Sequence, residues 1–350
     1  MAVDLSKLVT KRRLEFEELK GRTVAIDAYN VLYQFLSIIR QPDGTPLMDS
    51  HGNVTSHLSG IFYRTIEILG YGIKPIYVFD GIPSMLKQRT IEARMRRRTE
   101  AFEEWQKAKE EGDMERAKSK AQASTRVNKQ IVESSKQLLD LMGVPYISAP
   151  SEGEAQASIM CKKNLVYAAA SQDYDTLLFG SPMVVRNLTF SGRRKLPSKN
   201  VYINVEPELV DLRETLSNLG INQHQLIWIG IMLGTDFNMG IKGIGPKTAL
   251  KMAKEASSIS DIKKLVMEKY EVEFELDISD VEKLFLDPEV KEFDEGDVEK
   301  LFEKRLDREG VVRFMSDEHD FSRDRVDNGI AKIAVGMEQT RQKGIGKWMK

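Results

Sequence analysis

The apolar positions of this chain gather into short runs that end on acids. RTVAID (22–27), KPIYVFDG (74–81), VPYISAPSEGEA (144–155) and VYAAASQDYD (166–175) each pair a run of β-branched or small residues with carboxylates at its carboxyl end. Runs of that length and composition predict strands covered on both faces. AYNVLYQFLSIIR follows the first, and HLSGIFYRTIEIL and KQIVESSKQLLDLMG precede the second and third, with apolar residues at helical spacing and Gly143 closing the last. Strands alternating with helices predict an α/β fold, a central mostly parallel sheet between helices. Ligands of such sheets bind beyond the carboxyl ends of the strands. Asp27, Asp80, Glu152, Glu154, Asp173 and Asp175 stand there, and Asp236 follows the apolar helix of LIWIGIMLGTDF.

Taken singly, each acid also reads as a cap or a turn residue. Asp27 can cap the helix after it, Asp173 or Asp175 the segment from Thr176, and Ser151 with Glu154 fits a capping box. Asp236 can start the turn that Gly240 continues. Seven acids at equivalent places favour a common ligand instead. Crowded carboxylates take up protons or bind cations. Donors that are all oxygen select a hard ion, Mg²⁺ with Mn²⁺ as substitute. Seven candidates exceed what one ion uses, so two ions are expected, an arrangement that suits phosphodiester hydrolysis.

Composition narrows the alternatives. Hydrophobic residues make up 41% of the 350, enough for a sizeable core, and no apolar run is long enough to span a bilayer. The amino-terminal MAVDLSKLVTKRRLEF has no continuous apolar stretch, so a cytoplasmic protein without membrane contact is expected. Cys161 is the only cysteine, and His51, His57, His224 and His319 lack ligand spacing, which sets aside disulfides and zinc. The 52 basic and 53 acidic residues nearly cancel but are segregated. Acids crowd into residues 273–300, where Leu284, Phe285 and the following Leu301 and Phe302 predict packing rather than a free spacer. Bases crowd into KQRTIEARMRRR (87–98). Lys87, Arg94 and Arg98 would share one stripe of a helix, flanked by Arg96 and Arg97. The helical pattern breaks at Gly112 and Asp113 and resumes through ERAKSKAQASTRVNKQI. A solvated face is the plain reading of such a charge run. Directly after Asp80, the helical pair reads instead as an arch whose cations reach a phosphate. In GIKGIGPKTALKM, Gly243 and Gly245 make a tight turn before Pro246 and Lys247, a helix-hairpin-helix pattern that offers backbone N–H groups to DNA phosphates.

VAIDAYNVLYQF, YVFDG with Lys87 and Arg94 after it, APSEGEA, SQDYD, and MLGTDF running into GIKGIGPKTA occur in one order over nearly the whole chain. Together they resemble the flap endonucleases of archaeal type, members of the 5′-nuclease superfamily. The resemblance implies a 5′-nuclease core with a helical arch and a helix-hairpin-helix element. It also implies an Mg²⁺-dependent hydrolase that removes 5′ flaps from branched DNA, with 5′–3′ exonuclease activity, in Okazaki-fragment maturation and repair. By it, all seven carboxylates fall on metal positions. Lys87 and Arg94 fall on catalytic arch cations, Tyr33 on a tyrosine that stacks against a base, and Arg97, Arg98, Gly243, Gly245 and Lys247 on DNA-binding positions. The tail TRQKGIGKWMK resembles a sliding-clamp-binding motif through Gln342, Ile345 and Trp348, with Met349 where a second aromatic is usual.

The expected organisation is one nuclease domain over 1–335 and a clamp-binding tail over 336–350. Within the domain lie an amino-terminal nuclease region (1–81), the arch (82–135), an internal nuclease region (136–239), the hairpin element (240–270) and a helical part (271–335). A monomer is expected. Ala2 stands where the family usually has Gly, and Ile82 and Ser84 stand where a diproline form is usual. The loop over 40–60, with Leu47 and Met48, would by analogy wedge against bent DNA. The rival readings are a junction or bubble endonuclease of the same superfamily and a catalytically inert junction-binding scaffold. Retained, mutually repelling acids weigh against the scaffold.

Overall fold

The computed structural model describes residues 3–189, 192–195 and 202–345, with backbone alone for 192–195, 202–204 and 338–345. The chain forms two compact units. One comprises Met1–Glu15, Asp80–Ile91 and Ser148–Glu292, the other Phe16–Phe79, Glu92–Ile147 and Phe293–Lys350. The strands among the described residues are β1 (Lys11–Arg13), β2 (Thr23–Asp27), β3 (Lys74–Phe79), β4 (Tyr146–Ser148), β5 (Ala168–Ala170), β6 (Met183–Arg186), β7 (Gly192–Lys195), β8 (Tyr202–Val205) and β9 (Glu208–Asp211).

In the first unit the strand order is β1-β9-β6-β5. β5 and β6 run parallel, Ala169 opposite Val184, whereas β9 is antiparallel to both β6 and β1. The three alanines of β5 are all buried. The edge strand β1 is three exposed cations, which discourage pairing with another chain. β7 and β8 pair as a separate antiparallel ribbon. The unit's core centres on the helix Gln223–Leu233, buried without interruption from Leu226 to Met232. It starts in a capping box between Asn222 and Gln225. A Cβ on Gly230 would lie 2.6 Å from Leu178 Cδ1, so glycine lets these segments approach. Phe285, on the helix Ile278–Leu286, is buried against Phe179 and Phe237. The acidic region therefore packs, as its apolar residues predict.

In the second unit the order is β2-β3-β4, with β2 and β3 parallel and Asp27 opposite Val78. The helices foreseen on either side of these strands form at Ala28–Ile38, Ser56–Gly70 and Lys129–Leu141. The first two pack closely, because a Cβ on Gly60 would stand 2.1 Å from the Phe35 ring. Gly329 and Gly336 likewise bring the long helix Arg323–Ile345 onto Phe62 and Leu69. The buried Tyr77 hydroxyl meets Thr65 Oγ1 at 2.9 Å.

The arch is a helix Gln88–Glu110, a left-handed turn at Gly112, and a second helix Met114–Ala123 capped by Asp113. Trp105 donates to the Asp43 carbonyl and Lys109 pairs with the Asp43 carboxylate at 2.8 Å, fastening the arch to the 40–46 loop. Two details differ from the sequence pattern. The helix begins at Gln88, so Lys87 precedes it in the 3₁₀ turn Met85–Lys87, where Ser84 Oγ accepts from the Leu86 N–H. The second arch helix also stops at Ala123, and the next starts only after Asn128 caps it. No helix among the described residues is long and apolar enough to cross a membrane.

Candidate active site

Six of the seven predicted acids belong to the first unit and Asp27 to the second. Asp80 follows β3 directly, and its Oδ1 accepts the Gly153 N–H at 2.7 Å. The backbone there is tightly constrained: Gly81 and Ile82 N–H groups donate to the Ser151 and Pro150 carbonyls, and a Cβ on Gly81 would lie 2.2 Å from the Ala149 carbonyl oxygen. This pairing sets the base of the arch beside Glu152. Lys87 then reaches back, bonding Glu152 and standing 3.5 Å from Asp236. Its ammonium also lies 5.8 Å from the Phe237 ring centre.

The electrostatics follow from this crowding. Desolvation raises the pKa of Asp80 and of Glu152, with Lys87 pulling both the other way. Desolvation would lower the Lys87 pKa, but Glu152, Asp80 and Asp236 outweigh it and raise it, so the ammonium stays charged. Asp175 is pushed up to about 7, by desolvation first and then by Asp236, although the Val3 N–H at 3.0 Å opposes the shift. One ammonium is thus shared among three carboxylates, and a fourth is about half protonated at neutral pH.

The sequence-level alternatives separate here. Asp27 does cap its helix, accepting the Asn30 N–H at 3.1 Å. Asp175 does not cap, because Tyr174 holds that position and the Asp175 carboxylate turns to Val3. The Ser151–Glu154 capping box does not form: Glu152 is the N-cap of Gly153–Lys162, without a side-chain cap bond. Glu154 instead accepts from Ser171 Oγ at 2.6 Å and Thr176 Oγ1 at 3.1 Å. The turn at Asp236 is built by its neighbour, Thr235, whose Oγ1 bonds Asn238 and accepts the Phe237 N–H.

Among the described residues, no three His, Cys, Asp or Glu side chains are grouped so as to hold a metal ion. The donor chemistry nonetheless fits a hard cation: the acids offer oxygen alone, and three of them are desolvated enough to resist ionisation.

Arg94, Arg97 and Arg98 lie on the helix Gln88–Glu110 in the second unit, Arg97 exposed and Arg98 half-buried. Arg98 donates to the Tyr33 hydroxyl at 2.8 Å, its guanidinium 4.6 Å from that ring's centre. In the hairpin, Gly243 is left-handed at φ 92°, Gly245 is the N-cap and Pro246 the first residue of Pro246–Glu255, with Lys247 exposed beside them. Buried Ile241 and Ile244 anchor the turn. Of the tail residues, Trp348 and Met349 lie outside the described residues, and Gln342 and Ile345 are described only as backbone of Arg323–Ile345.

Sequence reasoning did not single out Ser171, Thr176, Val3 or Arg186. Hydroxyls on both sides of the acids in SQDYDT were the available signal for the first two. Val3 acts through its backbone, which side-chain identity does not betray.

The chain matches the models of the XPG N-terminal domain over residues 2–101 and the XPG I-region over 143–236. "Flap endonuclease 1" of Thermococcus onnurineus is 50% identical over 99% of both chains. The solved flap endonuclease-1 of Methanococcus jannaschii is 38% identical at TM-score 0.73, covering 97% of this chain and 99% of that one. The catalytic core of Rad2 in complex with a DNA substrate, at 24% identity and TM-score 0.67 over 95% and 100% of the two chains, shares the fold. Sequence, fold and the acidic cluster thus agree, and this chain belongs to the flap endonuclease family of nucleases.

Proposed function

We propose that this chain hydrolyses the phosphodiester at the base of 5′ flaps on branched DNA, in Okazaki-fragment maturation and repair, with two Mg²⁺ ions for which Mn²⁺ substitutes. The observation that carries it is the convergence of Asp80, Glu152 and Asp236 on Lys87 in a desolvated setting. Within the first unit, Asp80, Glu152, Glu154, Asp173, Asp175 and Asp236 would hold the ions. Once bound, Mg²⁺ supplies Lewis-acid polarisation of the phosphate and a lowered water pKa. Lys87, kept protonated by its neighbours, donates to a non-bridging oxygen of the scissile phosphate and offsets the charge that develops there. Arg94 does the same from the arch. Tyr33 stacks on a base next to the cut, which tolerates any base and so reads structure rather than sequence. The Gly243–Lys247 turn holds duplex phosphates through backbone N–H groups and the Lys247 ammonium, while Arg97 and Arg98 hold the flap strand. The nuclease acts as a monomer in the cytoplasm, and its tail, through Gln342, Ile345, Trp348 and Met349, tethers it to a sliding clamp.

The test uses three end-labelled DNAs, a 5′-flap duplex, a blunt duplex and a bubble, in Mg²⁺ and in EDTA. Cutting in Mg²⁺ alone, mainly at the flap base, is the expected result. Preferential cutting of the bubble would assign the chain to the junction and bubble endonucleases, and tight binding without cutting would favour an inert scaffold. With a sliding clamp added, removal of residues 341–350 is expected to abolish stimulation and leave unstimulated cutting intact. Unchanged stimulation would remove the tail's assigned role.

A further inference from the structure

Arg186 is the last residue of β6, one position beyond Val185, which pairs with Ala170 at the end of β5. It therefore lies alongside the turn that carries Asp173 and Asp175. Its guanidinium sits 4.2 Å from the centre of the Tyr174 ring. Nη1 donates to the Tyr174 hydroxyl and Nη2 to the Gln172 carbonyl at 3.1 Å. Gln172 and Tyr174 bracket Asp173, so one rigid cation grips the turn on both sides of that acid. The cation is itself positioned: Glu208, directly opposite in the antiparallel register, lies 3.6 Å from Nη1 and is held in turn by Lys11 at 2.9 Å.

Within the turn, Ser171 Oγ accepts the Asp173 N–H and donates to Glu154, and Thr176 links the Asp173 carbonyl to Glu154. Asp173 and Glu154 therefore share one hydrogen-bonded frame on the turn that also carries Asp175, with Arg186 as its outer fastening. The Nε of Arg186 is buried with no hydrogen-bond partner, so the side chain keeps this pose despite a lost bond. We infer that Arg186 is a positioning residue that sets the pitch of the 171–176 turn and thereby the affinity of Asp173, Asp175 and Glu154 for divalent cations.

The inference rests on the metal-site reading given above. Outer partners of metal ligands typically change affinity or activity about 10–100-fold when removed. The experiment titrates Mn²⁺ into the full chain without DNA, read by electron paramagnetic resonance. Arg186→Met is expected to weaken Mn²⁺ binding about 10-fold or more. Arg186→Lys, which keeps the charge but loses the planar fork, should fall between it and the unsubstituted protein. Flap cleavage by both should fail at limiting Mg²⁺ and recover at high Mg²⁺, which a merely structural residue would not produce. Should Arg186→Met not fold, Tyr174→Leu removes the ring beneath the cation and is expected to move Mn²⁺ affinity in the same direction.

Unsubstituted affinity in Arg186→Lys and in Arg186→Met or Tyr174→Leu would overturn the inference while leaving the metal site intact. If the unsubstituted chain binds no Mn²⁺, or Asp175→Asn binds it equally well, the metal-site reading falls and this inference with it.

Discussion

Asp175→Asn is expected to lower flap cleavage by at least about 100-fold while the protein still folds and binds flap DNA. The asymmetry comes from what the carboxylate does in each setting. Structurally it accepts one bond, from the Val3 N–H, and an asparagine oxygen can accept the same bond. Its charge is unwelcome in the free protein, where burial and Asp236 push its pKa up to about 7. A neutral isostere therefore has little stability to lose. Toward a cation it loses a great deal, since a carboxamide is a far weaker donor to a hard ion. Cleavage rate, flap-DNA affinity and melting temperature in EDTA together decide the matter. Unimpaired cleavage, or a collapsed melting temperature, would mean that Asp175 serves the fold.

Lys87→Ala is expected to slow the cutting step about 100- to 1,000-fold, the cost of removing one preorganised donor from a developing charge. Flap-DNA affinity should change less than 10-fold, because a single phosphate contact is a small part of a large charged interface. The ammonium also holds Glu152 and stands 3.5 Å from Asp236, so its removal leaves acids facing one another. The melting temperature should fall in EDTA and be largely restored by Mg²⁺. Single-turnover cleavage at saturating enzyme separates the two effects. A rate loss that vanishes at saturation would make Lys87 a DNA-affinity residue.

How much was legible in the sequence depended on whether a contact was local. Asp80, Glu152, Asp173 and Asp175 could be read because each follows a short apolar strand whose end is visible in the residue pattern. The hairpin could be read because Gly243 takes a left-handed backbone at φ 92° and Pro246 suits a first helical position, whereas Gly245 is extended with open space for a Cβ. The setting of Lys87 was not legible: helical spacing places it on the arch helix, whereas it lies in the 3₁₀ turn that the Ser84 cap opens. β1 and β9 left no trace, since KRR is wholly exposed and ELVD too short to show alternation. Arg186 reads as an ordinary cation after VV, because its partners Tyr174 and Gln172 are brought to it only by strand pairing. Asp27 teaches the converse. Its capping role is real, with Oδ1 accepting the Asn30 N–H.

The chain passes between the two compact units five times along its length, at residues 15, 79, 91, 147 and 292. Neither unit can be encoded by an uninterrupted stretch of gene. Any single-crossover chimera between this protein and a relative, with the crossover between 16 and 292, therefore inherits parts of both units from both parents. A crossover between 47 and 104 would take the 40–46 loop from one parent and Trp105 and Lys109 from the other, so the Asp43 contacts to them would have to survive in mixed ancestry. Exchange of one whole unit requires five crossovers at once. Recombination should thus favour crossovers near the two ends, and divergence by point substitution should dominate in between.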